Sequence, residues 1–232
     1  MVRFRSTVKT TAAVIALAIG VMGLATHVAG ASTRASRDDT TSPRTPIPAF
    51  LVARGRYTAF DAPGARLETA PTGINDHGQI TGSYVDADGV YHGYLRDRRG
   101  RFTDVDLPGA VATAPGGINN GGQIVGRYYQ SAPIRGPGAK FRGFLLDGRK
   151  LIRIDVPGAL QTQAVDIDNR GQVVGEYLDA NGNFHGFLWR KGRFKTIDVP
   201  GAPATSLTGI NDRGEVVGVH GDRTSGSIHG FC

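Results

Sequence analysis

Three histidines recur at one position of a repeated motif, and imidazole is both a proton-transfer group and a common metal ligand. They are His92, His185 and His229, each followed by a glycine and an aromatic residue, while Arg142 holds the same position in another copy of the motif. Imidazoles that converge on a small circle could bind a metal ion, whereas a guanidinium among them repels a cation. The alternative is that each histidine hydrogen-bonds a neighbouring turn or packs at the end of a sheet.

Two short loops carry closely spaced oxygen ligands. Asp86 and Asp88 lie in "DADGVYHG", and Asp179 and Asn181 lie in "DANGNFHG". Alternating carboxylate or amide groups followed by a glycine resemble the start of a calcium loop, although the distal bidentate glutamate of an EF-hand is missing. The pattern is typical of either a calcium site or a plain Asp-Gly or Asn-Gly turn. We expect no cofactor, with calcium at these two loops as the alternative.

The repeated residues predict no catalytic site. We find no nucleophile elbow, zinc-protease helix or phosphate-binding loop in the sequence. The aspartates of the "IDVPGA"-type turns occupy equivalent positions, at Asp61, Asp106, Asp155 and Asp198. Paired acid–base catalysis needs carboxyl groups in unlike environments. Each aspartate precedes a Pro-Gly turn, so we expect its carboxylate to accept backbone N–H groups there.

The elements that position these residues belong to an internal repeat with units at 50–93, 94–143, 144–186 and 187–230. Each unit has four short apolar segments bounded by Gly, Pro, Asn or Asp, as in "FLWRKG", "TIDVPGA", "GIND" and "GEVVGVH". Such segments are typical of strands joined by tight turns. The sequence therefore predicts an all-β fold over 50–232, a four-bladed propeller with about four antiparallel strands in each blade. We expect the strand at Phe231 to close the ring beside the strand at Phe50.

Cations gather in the turn that follows the first segment of each unit. Because antiparallel strands alternate in direction, these turns emerge on one side of the ring, where we predict a basic rim that binds an anionic partner. Its residues are Arg96, Arg98, Arg99, Arg101, Arg149, Lys150, Arg190, Lys191 and Arg193. The alternative is that solvent-facing turns simply collect charged residues.

The joint pattern of "GINDHGQITG", "HGFL" and "IDVPGA" resembles the HAF-repeat family of extracellular repeat proteins, found mainly in bacteria. The resemblance covers 50–232, but glycine stands at 93, 143, 186 and 230, where the family's name has alanine. What it implies is an exported repeat domain without an established biochemical activity.

The N-terminus has the pattern of a secretory signal peptide over residues 1–31. Cations precede an apolar run that is short for a bilayer span, and small residues end at Ala31. Residues 32–49 are polar and rich in proline, so we expect a flexible linker there. The protein is therefore predicted to be secreted or associated with the cell envelope after cleavage near Ala31.

These features predict a secreted, monomeric, non-catalytic binding or scaffold module that engages an anionic polysaccharide or a membrane surface through its basic rim. Export argues against nucleic-acid binding. The alternative function is an extracellular hydrolase or lyase acting on a glycan, with its site at one mouth of the propeller. Buried polar groups that break the fourfold repetition at one place would favour the enzyme.

Overall fold

The computed structural model describes residues 48–53, 55–134, 138–221 and 227–232. Over this part of the chain the fold is all-β, and its four main sheets are the blades of a β-propeller, which confirms the predicted fold class. In the same residues no helix is long and apolar enough to cross a membrane. The predicted signal peptide and nearly all of the predicted linker lie outside the described residues.

The strands follow the chain in order. A two-stranded sheet comes first and contains β1 (Ala49–Ala53) and β2 (Arg56–Phe60). The first blade contains β3 (Glu68–Ile74), β4 (Ile80–Val85), β5 (Tyr91–Arg96) and β6 (Phe102–Asp104). The second contains β7 (Ala112–Ile118), β8 (Ile124–Tyr129), β9 (Phe141–Asp147) and β10 (Lys150–Ile154). The third contains β11 (Gln161–Ile167), β12 (Val173–Leu178), β13 (Phe184–Arg190) and β14 (Arg193–Ile197). The fourth contains β15 (Ala204–Ile210), β16 (Val216–Gly221) and β17 (Ile228–Phe231).

Each blade takes its strands from two adjacent sequence repeats. The second half of one repeat forms the first two strands, and the first half of the next repeat forms the remaining strands. For example, β5 contains the boundary between the repeats 50–93 and 94–143. The blades are therefore offset from the sequence repeats by about two strands.

The core consists of layers between successive blades. The first strand of each later blade packs on the preceding blade: β7 contacts β3, β4 and β5, and the pattern repeats for β11 and β15. Val125, Leu145, Ile154, Ala164 and Phe187 join the second and third blades, and each is at most 3% exposed. Burying one such large apolar side chain contributes about 1.5–3 kcal/mol.

A glycine in the second strand of each blade makes room for the aromatic residue of the third strand. A Cβ atom on Gly175 would collide with the backbone oxygen of Gln163 and would lie 3.0 Å from Cε1 of Phe187. Phe187 is 1% exposed, and its ring meets that of Phe194 edge to face, with centroids 5.6 Å apart. Any side chain at position 175 would therefore displace either the strand pair or the ring.

Asparagine side chains connect the turns between the first and second strands of successive blades. The Nδ2 of Asn75 donates to the backbone oxygen of Asn119, and the Nδ2 of Asn119 donates to the backbone oxygen of Asp168, both at 3.0 Å. The following residue adds a second contact, because the backbone N–H of Asn120 donates to Oδ1 of Asn169 at 2.7 Å. We call these contacts the asparagine ladder. They join residues one repeat apart and hold neighbouring blades in register.

The fourth blade has one exposed face, whereas the corresponding face of the first blade is covered in part by Leu51 of β1 and Phe60 of β2, which pack in one cluster with Ile80 and Tyr94. Val217 in β16 is 46% exposed, whereas the corresponding Val125 and Val174 are 0% exposed. Pro71 in β3 is exposed, whereas the corresponding Pro115 in β7 is buried. The exposed residues are those that a neighbouring blade covers elsewhere in the array.

Strand pairing does not join the two ends of the array in the described residues. β1 pairs with β2 in a sheet of its own, and β17 pairs with β16 in the fourth blade. Phe50 is 66% exposed, and Phe231 lies opposite Gly218. The predicted pairing of the strands at Phe50 and Phe231 is therefore not formed.

Candidate binding surface

The turns that carry the predicted basic rim emerge at one end of the blades. Within a blade, consecutive strands are antiparallel, so the turn between strands one and two lies at the same end as the turn between strands three and four. All nine predicted rim residues lie in or beside the β5–β6, β9–β10 and β13–β14 turns. Each turn therefore presents its cations beside the turn that carries the asparagine ladder.

The β5–β6 turn is organised by Asp97. Its Oδ1 accepts the backbone N–H groups of Arg99 and Arg101 at 2.8 and 2.9 Å, and its Oδ2 accepts Nε of Arg101 at 2.8 Å. These bonds, with the backbone of Arg101 first, lower the pKa of Asp97. The ion pair partly neutralises Arg101, while Arg98 and Arg99 are exposed. The two exposed arginines are the cations that this turn offers to a partner.

Arg96 has a packing role. Its guanidinium carbon lies 4.7 Å from the ring centroid of Phe60 and 6.0 Å from that of Phe102. A cation over an aromatic face is stabilised by the ring quadrupole. Arg96 therefore attaches β2 to the first blade, and its charge is less available at the rim than those of Arg98 and Arg99.

The β13–β14 hairpin concentrates three exposed cations. Arg190 and Arg193 face each other directly across the strand pair. Lys191 and Gly192 form the two-residue turn, with φ of 48° and 84°. Like charges directly opposite each other in a sheet are destabilising, and a positive φ is unfavourable for lysine. This turn therefore carries its positive charge at a cost in local stability.

The β9–β10 turn is less strongly basic. Arg149 and Lys150 are exposed, but Lys150 lies opposite Asp147 across the strand pair. The Oδ2 of Asp147 also accepts a hydrogen bond from Nε2 of Gln123 at 3.0 Å. The positive charge of the rim is thus strongest at the first and third blades.

An open cleft of about 450 Å³ lies at the rim between the first and second blades. Arg98 and Arg99 form one wall, and His77, Gln79 and Asn120 lie in the adjoining turns. Asp97 also lines the cleft, and Nδ2 of Asn120 already donates to Oδ2 of Asp76 at 2.6 Å, so Arg98 and Arg99 are the main donors that the cleft offers to an anion. The sequence did not predict His77, Gln79 or Asn120 as site residues. Strand direction could have indicated these residues, because it places their turns at the same end of the blades as the basic rim.

At the opposite end of the blades, a histidine is held between two carboxylates. In the first blade, Nδ1 of His92 lies 2.7 Å from Oδ2 of Asp106, and Nε2 lies 3.2 Å from Oδ2 of Asp86. The ring of Tyr84 stacks on the imidazole at a centroid distance of 5.1 Å. The third blade repeats the arrangement with Tyr177, Asp179, His185 and Asp198. We call each arrangement a histidine clip.

The ring-position residues do not converge. His92, Arg142, His185 and His229 lie on the third strands of their blades, about 10 Å from the first strands at ordinary strand spacing. Nη1 of Arg142 reaches the backbone oxygen of Ala159 at 3.5 Å, and the ring of His229 lies 5.5 Å from that of His220. In the clips, the histidines bind neighbouring turns, which was the alternative to a shared metal site.

The two oxygen-rich loops are tight turns closed by their first aspartate. Oδ1 of Asp86 accepts the backbone N–H groups of Asp88 and Val90 at 2.9 and 2.8 Å. Asp179 accepts those of Asn181 and Asn183 in the same way. Among the described residues, no group of three or more His, Cys, Asp or Glu side chains is arranged to hold a metal ion. Calcium binding by these loops stays a prediction.

The clips shift the pKa values of their members in opposite directions. Burial lowers the pKa of His185, but the hydrogen bonds to Asp198 and Asp179 outweigh it, so the pKa is raised above 6.5. The backbone N–H of Asn183 is the main cause that lowers the pKa of Asp179, to about 2. The charged His185 therefore stabilises the fold fully below pH 6.5, and this stabilisation is lost as the pH rises through the pKa that His185 has in the folded protein. The aspartate contributes stability above pH 3.8 and loses it as the pH falls.

We therefore expect His185→Asn to destabilise the protein more at about pH 5.5 than at about pH 9, because only the charged imidazole binds both carboxylates strongly. Urea unfolding of the wild type and the variant at both pH values measures the difference. In an Asp198→Asn background the pH dependence of the substitution should shrink, since one carboxylate is neutral. A loss of stability that is the same at both pH values would rule out the charged clip.

A row of polar residues breaks the fourfold repetition between the second and fourth blades. Nη1 of Arg127 donates to Oε1 of Gln163 at 2.6 Å, and Gln163 lies opposite Glu176 in the β11–β12 pair. Burial raises the pKa of Glu176, opposed by a hydrogen bond from Ser206 and by the charge of Arg127. Glu176 is only 6% exposed. The row links three blades through side chains that contact one another.

No protein-family model matches the chain. No curated protein matches it. Among solved structures, the chain is similar to a triple arginine-to-alanine mutant of AofleA from Arthrobotrys oligospora, with 16% sequence identity and a TM-score of 0.46. The alignment covers 75% of this chain and 57% of the AofleA chain, so this chain spans little more than half of that protein's length.

Proposed function

We propose that the protein is a non-catalytic binding module whose basic rim takes an anionic polysaccharide. The observation that carries this proposal is the β13–β14 hairpin, where Arg190 and Arg193 stand directly opposite each other and Lys191 has a positive φ. A hairpin selected only for solvation has no need of facing like charges. A negatively charged ligand between the two guanidinium groups would turn their repulsion into attraction.

The layout of the rim fits an extended ligand better than a small ion. Exposed cations lie on three successive third-to-fourth-strand turns, with Arg98 and Arg99 beside the cleft and Arg149 and Lys150 on the next blade. Carboxylate or sulfate groups repeated along a sugar chain could meet these turns in succession. Arginine is suited to such groups because its planar fork donates two hydrogen bonds at once.

The proposal includes export from the cell. It rests on the signal-peptide pattern that ends near Ala31 and on the resemblance to HAF-repeat proteins. An exported protein meets the acidic polymers and anionic lipids of an envelope, and we give the polysaccharide precedence because the rim is a row of separated turns. An anionic membrane surface is the other ligand that the test includes.

A glycan hydrolase or lyase is the second candidate, and the polar row at Arg127, Gln163 and Glu176 is the observation in its favour. A raised pKa is what a general acid needs. However, Glu176 is almost fully buried and already hydrogen-bonded to Ser206, so a glycan would have to displace the fourth blade to reach it. These residues explain contact between blades better than catalysis.

We expect the purified chain to bind polygalacturonate at low salt, with an affinity that falls as salt rises because exposed charges are screened over about 8–10 Å at physiological ionic strength. Lys191→Ser together with Arg193→Ser should weaken binding about tenfold, since each exposed charge contact is worth up to about 1 kcal/mol. Isothermal titration calorimetry over a salt series measures both effects, with neutral dextran and phosphatidylglycerol vesicles as comparison ligands.

The matched control replaces two exposed cations away from the rim, Arg66→Ser with Lys140→Ser. This variant has the same net charge as the rim variant, so it should keep most of the affinity if position decides binding. Equal losses in both variants would mean that net charge alone attracts the polymer. Absence of binding to polygalacturonate at low salt, or binding to the vesicles alone, would overturn the polysaccharide proposal.

A further inference from the structure

We propose that the cleft between the first and second blades is the subsite for a single uronate unit, that is, for one carboxylated sugar of the polysaccharide chain. The inference rests on the proposed function and names the sugar chemistry that this part of the rim recognises. A uronate carries a carboxylate and several hydroxyl groups, so its subsite needs cationic donors beside hydrogen-bond acceptors. The cleft brings both kinds of group together at one place.

The cleft lies where two departures from the repeat meet. Residues 97–101 separate β5 from β6, whereas only residues 148–149 and 191–192 separate the corresponding strands of the second and third blades. On the second-blade side of the cleft is Gly121, which is exposed. The other blades have a large side chain at the position of this glycine, namely His77, Arg170 and Arg213. The longer turn therefore adds a wall, and the glycine leaves the space in front of that wall open.

Two arginines form the cationic wall. A Cβ atom on Gly78 would lie 3.6 Å from Cγ of Arg98, so the stem of Arg98 lies along the β3–β4 turn. The backbone N–H of Arg99 is fixed by Oδ1 of Asp97 at 2.8 Å. Asp97 forms its ion pair with Arg101, while Arg98 and Arg99 are exposed and line the cleft. Their guanidinium groups are therefore placed to bind a carboxylate, whose two oxygens match the planar fork of arginine.

The remaining polar groups of the cleft suit sugar hydroxyls. Asp97 lines the cleft, and a carboxylate oxygen that already accepts one hydrogen bond has a further lone pair for a hydroxyl group. The Oε1 of Gln79 accepts Nδ2 of Asn75 at 2.8 Å, which leaves Nε2 of Gln79 as a donor in the described part of the chain. A bare anion would be repelled by Asp97. A sugar acid would instead place a hydroxyl group there and its carboxylate at the arginines.

The size and openness of the cleft suit one unit of a longer chain. Its volume of about 450 Å³ lies within the roughly 300–1,000 Å³ that is typical of small-ligand sites. Because the cleft is open, the sugars on either side of the bound unit are not enclosed. The chain could continue along the rim to the exposed Arg149 and Lys150 of the second blade.

Gly121→Arg distinguishes the cleft from the general charge of the rim. A Cβ atom at position 121 would lie 3.2 Å from Oδ1 of Asn119, and the equivalent turns hold Arg170 and Arg213. The new side chain fills the cleft while it adds a positive charge. We expect the affinity for digalacturonate to fall about tenfold, as when one hydrogen bond to a charged group is lost, whereas attraction by net charge alone would raise it. Isothermal titration calorimetry of the full chain at low salt measures the affinity.

Gln130→Arg is the matched control, because it adds the same charge at an exposed position at the opposite end of the blades. It should bind digalacturonate as the wild type does. A second variant, Arg98→Ser with Arg99→Ser, removes the cationic wall without adding a side chain, and it should also lose about tenfold in affinity. Its control is Arg66→Ser with Lys140→Ser, which should keep most of the affinity. Circular dichroism checks that each variant is folded.

Two comparison ligands test the sugar chemistry. Digalacturonate with both carboxylates methyl-esterified has nearly the same shape without the charge, and it should not bind. Sodium sulfate should displace digalacturonate no better than sodium chloride of equal ionic strength, because sulfate has no hydroxyl group to offer Asp97. Binding of the ester, or preferential displacement by sulfate, would overturn the assignment of a uronate.

The outcome for the subsite is separable from that for the rim. Binding of polygalacturonate without binding of digalacturonate would overturn the subsite and leave the rim proposal standing. The same holds if polygalacturonate binds and the folded Gly121→Arg variant takes digalacturonate as tightly as the wild type. If the wild type binds neither ligand, both proposals are wrong.

Discussion

The Gly175→Ala substitution is expected to lower the free energy of unfolding by about 3 kcal/mol or more, because the added methyl group has no space. Its Cβ would collide with the backbone oxygen of Gln163 on the paired strand, and it would press on the ring of Phe187. A backbone oxygen in a strand pair cannot rotate away as a flexible side chain can. The loss is a large part of the 5–15 kcal/mol that typically stabilises a domain. Urea denaturation followed by circular dichroism measures it.

Gly221→Ala is the matched control for this substitution. Gly221 also lies in the second strand of a blade, but a Cβ there would meet its nearest atoms at 3.9 and 4.0 Å, which is ordinary contact. We expect stability to change by less than about 1 kcal/mol, since alanine also reduces the conformational freedom of the unfolded chain. Equal effects at both positions would show that glycine is needed for backbone freedom and that the contact with Phe187 is unimportant.

Removal of the central member of the asparagine ladder, Asn119→Ala, should cost about 2–4 kcal/mol in the free energy of unfolding. Asn119 is 5% exposed; its Oδ1 accepts the backbone N–H of Gln123 at 3.0 Å, and its Nδ2 donates to both Gln123 and Asp168. The substitution leaves the N–H of Gln123 and the oxygen of Asp168 without this partner in a buried setting. Differential scanning calorimetry and urea titration measure the loss.

Asn211→Ala tests whether the contact between blades is the cause. Asn211 has the same position in the fourth blade, but it is exposed, and its hydrogen bonds go to Arg213 and Glu215 within its own turn. We expect a loss of about 1 kcal/mol or less, because no hydrogen bond of Asn211 crosses to another blade in the described residues. A loss as large as that of Asn119→Ala would attribute the effect to the turn alone.

The asparagine ladder also changes character at the third blade. Asp168 replaces asparagine there, and its carboxylate accepts hydrogen bonds from Arg170 and Gln172 but has no hydrogen to donate to the fourth blade. Asp166, at a position where other blades have glycine, accepts the backbone N–H of Ile210 at 3.0 Å. Asp166 thus forms a hydrogen bond to the fourth blade in place of the one that Asp168 cannot donate.

The basic rim shows how far reasoning from the sequence extends toward a binding site. Strand direction alone placed Arg190 and Arg193 on the same side as Arg98, because the parity of antiparallel strands depends only on their order. That Arg190 and Arg193 face each other could not be predicted from strand order, because it depends on the register of the β13–β14 hairpin. The packing of Arg96 on Phe60 could not be predicted either, because it depends on where β2 lies, and no local sequence pattern indicates that position.

The sequence by itself determined the all-β class, the four repeats and their turns. Those features depend on residues near one another in the chain, as in "TIDVPGA", where proline and glycine set the backbone angles directly. Only the tertiary structure decided which groups meet across blades. It offset the blades from the repeats, connected Asn75 to Asn119 and left Val217 exposed. These outcomes depend on how separate sheets stack, and stacking is governed by contacts between residues a whole repeat apart.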